Sequence, residues 1–236
     1  FPMKKMTAAT LLISAMASSM AMADESQLGG FYVGANIGMA APSMTVEDSD
    51  CWYNCSAYTQ RPTGLTYGLQ GGQNIISGNL LLGWVLDYNL ASLDESFDYG
   101  YGNGTNDDMR IESEFKSAMS LRVKAGVVVG DTAIAVNFGP ARAEFESTFV
   151  DRNGQLGNPA NWDKATYDDS TSGFVFGVGV EHAFSKNLLV GLDISKYSFD
   201  AEQKTVIDGP TGTDTGSKLK FVNSLDTFRV SGSYKF

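Results

Sequence analysis

Between Gly30 and Phe236 the chain alternates apolar residues with small or polar ones at a period of two, segment after segment, and shows little sustained helical periodicity. Eight such segments can be read: Gly30 to Ala40, Thr66 to Ile76, Leu80 to Leu90, Ile111 to Val129, Thr132 to Phe149, Ser172 to Phe184, Leu188 to Phe199 and Ser224 to Phe236. In the first, Phe31, Val33, Ala35, Ile37 and Met39 share one face, and Tyr32, Gly34, Asn36 and Gly38 share the other. In the fourth, Phe115, Met119, Leu121, Val123, Val127 and Val129 are expected opposite Lys116, Ala118, Ser120, Arg122, Lys124 and Gly126. The connections alternate in length. Short turns at Ser77-Gly78-Asn79, Gly130-Asp131 and Ser185-Lys186-Asn187 follow the even segments, whereas connections of about 20 residues, long for a compact domain, follow the odd ones.

An even number of strands with long loops gathered at one end fits an all-β, eight-stranded antiparallel up-and-down transmembrane barrel. The sided chemistry agrees. The branched and aromatic face carries almost no charge, and the opposite face is Gly, Ala, Ser and a few ions. Eight strands enclose a space just wide enough for side chains, so the small residues belong inside and the large ones against lipid. Phe31, Trp84, Tyr88, Phe184, Tyr197, Phe199 and Tyr234 stand near segment ends and are read as interfacial girdles. A soluble barrel with a ligand cavity is the alternative. No apolar run in the described pattern is long enough for a membrane-spanning helix.

Ahead of the strands, Lys4 and Lys5, an apolar stretch from Ala8 to Ala17 and the small-x-small site Ala21-Met22-Ala23 read as a secretory signal peptide over residues 1–23, with Phe1-Pro2 as an extension outside the fold. The barrel domain is expected over residues 24–236, with no lipoprotein anchor and no further domain after the last strand. Losing Lys4 and Lys5 takes the 17 basic residues to 15 against 27 acidic ones, a net charge of −12 that excludes phosphate reading of nucleic acid. Export places Cys51 and Cys55 in an oxidising compartment, where a structural disulfide is favoured over a redox pair. With one histidine in the chain and neither a further Cys nor a His beside the pair, no metal or other cofactor is expected.

Several short motifs resemble the small outer membrane β-barrel proteins of Gram-negative bacteria, the porin family and opacity-like barrels that include the membrane domain of the outer-membrane-protein-A type. They are Gly29-Gly30-Phe31-Tyr32-Val33-Gly34, Gly83-Trp84-Val85-Leu86-Asp87, Phe176-Gly177-Val178-Gly179-Val180-Glu181 and the terminal run from Phe228 to Phe236. The resemblance implies an outer membrane location reached through the periplasm and contact with outer membrane lipid and lipopolysaccharide. It also implies a C-terminal signal, Phe228, Val230, Tyr234 and Phe236, read by the barrel-assembly machinery.

Two constellations are candidates for function. Alternation turns Asp87, Glu181 and Asp193 inward with Arg122, Lys124 and Arg229, so three acids meet three bases, either as a brace or as the lining of a narrow gated ion path. His182 falls on the outward face near a short turn, as an interfacial anchor. The alternative is a lipid A deacylase, a barrel enzyme of a family that sets His and Ser two residues apart on one face; here Ser185 is three away, out of mutual reach. The loops are rich in Gly, Asn, Asp and Tyr, as from Asp98 to Asp108, which suits a host-surface or phage ligand. Asp107-Asp108 and Asp168-Asp169 lack the spacing of a calcium loop. The expected function is envelope integrity and surface presentation without catalysis, and with at most narrow porin-like permeability. An adhesin acting through the loops is the alternative, with a lipid-modifying enzyme third.

Overall fold

A computed structural model describes residues 27–48, 57–100, 107–152 and 162–236. The expected signal segment, residues 1–23, and the Cys51 and Cys55 pair lie outside the described residues. The strands run β1 (Gly30–Glu47), β2 (Ala57–Gln60), β3 (Gly64–Ser77), β4 (Leu80–Gly100), β5 (Asp107–Val129), β6 (Thr132–Asp151), β7 (Asp163–Ser185), β8 (Leu188–Phe199), β9 (Glu202–Ile207) and β10 (Asp214–Lys235). Eight of them, all but the short β2 and β9, form an antiparallel barrel in chain order, and β1 closes it against β10 from Tyr32↔Lys235 to Glu47↔Lys220. The final amide helps, as Phe236 N donates to Phe31 O at 2.9 Å.

The three short turns are where the sequence puts them. Gly78 and Gly130 take φ of +58° and +61°, the left-handed conformation that two-residue hairpins require. From these turns upward, each strand carries large apolar residues outward for about ten residues, the span of a bilayer belt. Val33, Leu69, Leu82, Val123, Phe138, Phe176, Ile194 and Phe228 all stand exposed on it.

Above the belt the polarity inverts. On β6 the odd residues point inward without interruption, but Ala133, Ala135, Asn137 and Gly139 give way to Phe145 and Phe149, while outside Ile134, Val136 and Phe138 give way to Arg142, Glu144 and Glu146. The strands run on far past the belt: β5 and β7 have 23 residues each and β4 has 21. Most of what the sequence reads as long loops is therefore strand. An apolar interior and a charged exterior make this upper half a soluble-type β structure continuous with a membrane barrel.

Two sequence expectations fail here. Phe115 is buried rather than lipid-facing, because β5 is bulged against β6 between Phe115 and Ser117 and the extra residue, Lys116, switches the inward parity from odd to even. Tyr197 and Phe199 are buried inside, not in a girdle, since both share the inward parity of Ser195 on β8 and lie above the inversion. Trp84, Tyr88, Phe184 and Tyr234 keep the outward face.

The walls of the upper half meet across its interior. Tyr167 on β7 stacks on Phe221 of β10 with centroids 5.5 Å apart, and Phe145 on β6 meets Phe199 of β8 edge-on at 5.4 Å. Two seams interrupt the ladder. β9 touches β7 at the single register pair Lys164↔Ile207, and β2 reaches β4 through Gln60 Nε2 donating to Glu95 O at 3.2 Å.

Candidate functional site

The inward charges of the belt meet in the lumen. Arg122 Nη2 lies 2.9 Å from Asp87 Oδ2 and Nη1 lies 3.1 Å from Asp193 Oδ1; Arg229 Nη1 lies 2.8 Å from Asp87 Oδ1 and Nη2 lies 2.7 Å from Asp193 Oδ1. Two guanidiniums and two carboxylates thus alternate in a closed, neutral ring contributed by β4, β5, β8 and β10.

The carboxylates of the ring are fully dressed, whereas Arg122 Nε is buried without a partner. Asp87 also accepts from Asn89 Nδ2 and Ser120 Oγ, each at 2.6 Å, so it takes four donors while 1% exposed. Asp193 likewise accepts from Ser195 Oγ at 2.6 Å and Asn137 Nδ2 at 2.9 Å. Removing two ions from water is costly, and attraction offsets that cost only where the remaining lone pairs find donors. Here they do.

A second cluster lies nearer the short turns. Lys124 Nζ is 2.6 Å from Glu181 Oε1 and donates to Tyr32 OH at 2.9 Å, while Asn74 Nδ2 donates to Glu181 Oε2 at 2.8 Å. The six sequence candidates therefore divide into a ring of four and a pair. A void of about 40 Å³ touches both, lined by Tyr32, Gln70, Arg122, Lys124, Glu181 and Asp193, room for about one water.

Register explains how the lumen holds such large groups. Arg229 stands opposite Gly38, Asp193 opposite Gly179, Glu181 opposite Gly191 and Lys124 opposite Gly83. In an eight-stranded lumen a long side chain needs a neighbour with none. At Gly139, beside Arg122, a Cβ would sit 2.0 Å from Leu121 O.

Apolar layers close both ends of this polar section. Toward the short turns lie Leu28, Ile76, Leu81, Val128 and Leu189; toward the long connections lies the core around Phe115, Phe145, Tyr197 and Leu225. What sequence reading missed are the neutral partners Tyr32, Asn74, Asn89, Ser120, Asn137 and Ser195. Their signal was available, since each lies on the inward face of its own strand.

His182 pairs with a residue not anticipated, its Nδ1 lying 2.9 Å from Thr132 Oγ1, and its ring meets Phe184 edge-on at 4.7 Å. Ser185 Oγ instead accepts from Asn187 N at 3.4 Å. The C-terminal residues Phe228, Val230, Tyr234 and Phe236 project outward, with Tyr234 and Phe236 in edge contact at 5.2 Å.

Burial pushes the Tyr167 hydroxyl up to about 12, and the hydrogen bond to Glu146 holds Lys116 above the ordinary lysine range.

The family model described as outer membrane protein beta-barrel domain matches residues 8–236. Among solved structures, the chain is similar to the outer membrane protease OmpT from Escherichia coli, at 9% identity and a TM-score of 0.51, with 88% of this chain and 97% of that one covered. It is also similar to the outer membrane protein OprG from Pseudomonas aeruginosa, at 13% identity and a TM-score of 0.50, covering 89% and 97%. At such identities the likeness is one of fold. A search of curated proteins finds no match.

Proposed function

Because the chain belongs to the outer membrane protein beta-barrel domain family, we propose that this outer membrane protein is a closed, non-enzymatic barrel that braces the envelope and presents a rigid β structure at the cell surface. The observation that carries the reading is the layering of the interior: an apolar layer, the Lys124–Glu181 pair, the ring of Arg122, Asp87, Arg229 and Asp193, then a second apolar core. Ions crossing it would have to break a closed, buried ring and wet two apolar layers, which argues against even a narrow pore.

Strands of 20 residues or more support the second half of the reading. The strand ends stand well clear of the belt on a scaffold with its own core, an arrangement suited to host-surface or phage ligands as well as to passive shielding. Replacing residues 101–106 and 153–161 by short Gly-Ser turns tests it. Loss of cell-surface binding with the barrel still folded supports ligand presentation; unchanged binding leaves the envelope role.

A lipid-modifying role has one observation in its favour, the hydroxyl–imidazole contact of Thr132 and His182 at 2.9 Å. It lies at the periplasmic edge, and a nucleophile and base also need an orienting group and an oxyanion site. His182→Ala with unaltered lipid A acylation removes it.

A further inference from the structure

We infer that Arg142 and the groove below it form a binding site for one phosphate-bearing, multiply acylated lipid of the outer leaflet, lipid A in chemical class. The inference rests on the proposed function, which sets the strand ends beyond the belt at the cell surface and hence the short turns at the periplasmic side.

Arg142 projects outward from β6 at the upper border of the belt, between Met119 of β5 and Ser172 of β7 in the register. The row beneath it reads Leu121, Pro140 and Phe174, with Leu86 alongside on β4. Pro140 and Ser172 are short, and between Phe174 on one side and Leu86, Met119 and Leu121 on the other they leave a groove of about 440 Å³, mostly apolar. A groove of that character at that height suits an acyl chain.

The cation above it lacks an ionic partner. Arg142 Nε donates to Ser170 Oγ at 2.9 Å and Nη2 reaches the same hydroxyl, and among the described residues no ion pair forms on this guanidinium. Its nearest acid along the strand, Glu144, accepts from Ser117 Oγ at 2.9 Å, and Asp200 borders the groove without pairing. Several other outer-surface cations are neutralised, Lys116 by Glu146 at 2.5 Å and Lys220 by Glu47 at 2.8 Å, and the exposed Arg61, Lys164 and Lys186, which form no ion pair among the described residues, border neither of the two apolar grooves.

A second groove on the outer wall provides the contrast. It is larger, about 550 Å³, and lies among Met39, Phe176, Ile194 and Phe228, but its bordering cation, Lys196, is paired with Asp226 at 3.2 Å. Apolar volume alone thus occurs twice, and apolar volume beneath an unneutralised guanidinium occurs at Arg142. A planar guanidinium with free N–H groups matches phosphate oxygens, and charge-assisted bonds of this kind are the strong ones.

The test is native mass spectrometry of the refolded mature chain released from detergent with bisphosphorylated lipid A added, alongside its dephosphorylated counterpart. The expected result is a single lipid A adduct. Its apparent affinity should fall about tenfold in Arg142→Gln, hold within about twofold in Lys196→Gln, and recover in part in Arg142→Lys. Equal adducts in wild type and Arg142→Gln, or equal binding of the dephosphorylated lipid, would overturn the site. Competition by millimolar inorganic phosphate would also overturn it, by showing a simple anion site. Fold retention is read from the gel shift between boiled and unboiled samples. Because no current is measured, a conducting barrel would contradict the closed-lumen reading while leaving this result to stand or fall alone.

Discussion

Arg229 Nη1 donates to Asp87 Oδ1 at 2.8 Å although the two residues lie 142 positions apart, so one hydrogen bond in the lumen joins the last strand of the barrel to its third. That contact forms only when β10 has docked and the barrel is complete. It makes the ring a reporter of closure as well as a plug.

Asp87→Asn is the sharpest perturbation of the ring, because it leaves Arg122 and Arg229 to share Asp193. Breaking a buried ion pair from one side costs about 3–5 kcal/mol. The urea midpoint of the refolded protein should fall accordingly. Adding Arg229→Gln should recover part of the loss, and a strictly additive double mutant would mean that the two residues are not coupled.

Phe145 touches Phe115 at 5.2 Å and Phe199 at 5.4 Å in the upper core. Phe145→Ala is expected to cost about 3–5 kcal/mol there while leaving the belt intact. Limited proteolysis of whole cells should clip the upper half of the variant, and its unboiled gel mobility should match wild type.

Glycines in the lumen and in the turns should respond differently. At Gly139 a Cβ meets the backbone oxygen of Leu121 at 2.0 Å, so Gly139→Ala should sharply reduce refolding yield. Gly130 has open space around it and a φ of +61°, so Gly130→Ala should cost only the left-handed penalty, about 1–2 kcal/mol. Comparable yields for the two variants would contradict the crowding argument.

The upper half should weaken in alkali. The Tyr167 hydroxyl titrates near 10.0 when exposed and about 12 in the fold, so its protonated form is favoured by folding. That stability is fully present below pH 10 and is lost as pH rises toward 12, because the unfolded chain releases the proton first. Tyrosinate absorbance against pH should show the late-titrating group, and Tyr167→Phe should remove both it and its share of the alkaline loss.

Much of the barrel was legible in the sequence because lipid and lumen impose opposite demands on alternate residues. Gly78 and Gly130 marked their turns, and parity alone set Asp87, Arg122, Asp193 and Arg229 on one face. The upper half was not legible for two physical reasons. On β6 the apolar face changes sides between Phe138 and Phe145 without any break in the alternation, so the strand is read nearly whole, to Phe149, while the exchange of its two faces goes unseen. On β5 the added residue at Lys116 changes the parity itself, which carried Phe115 to the wrong face. Tyr197 and Phe199 were misread for a simpler cause, as aromatic identity was given more weight than the parity they share with Ser195. The ring's neutral donors were legible in principle, yet only the register shows that Ser120 meets Asp87 and Asn137 meets Asp193.

Single-channel recording in planar bilayers tests the closed-lumen account most directly. The refolded wild-type protein should give no discrete current steps, since the ring and two apolar layers block the path. Regular openings in the wild type, with an amplitude that changes when Arg122 and Arg229 are both replaced by Gln, would contradict the account and make the inward charges the lining of a pore.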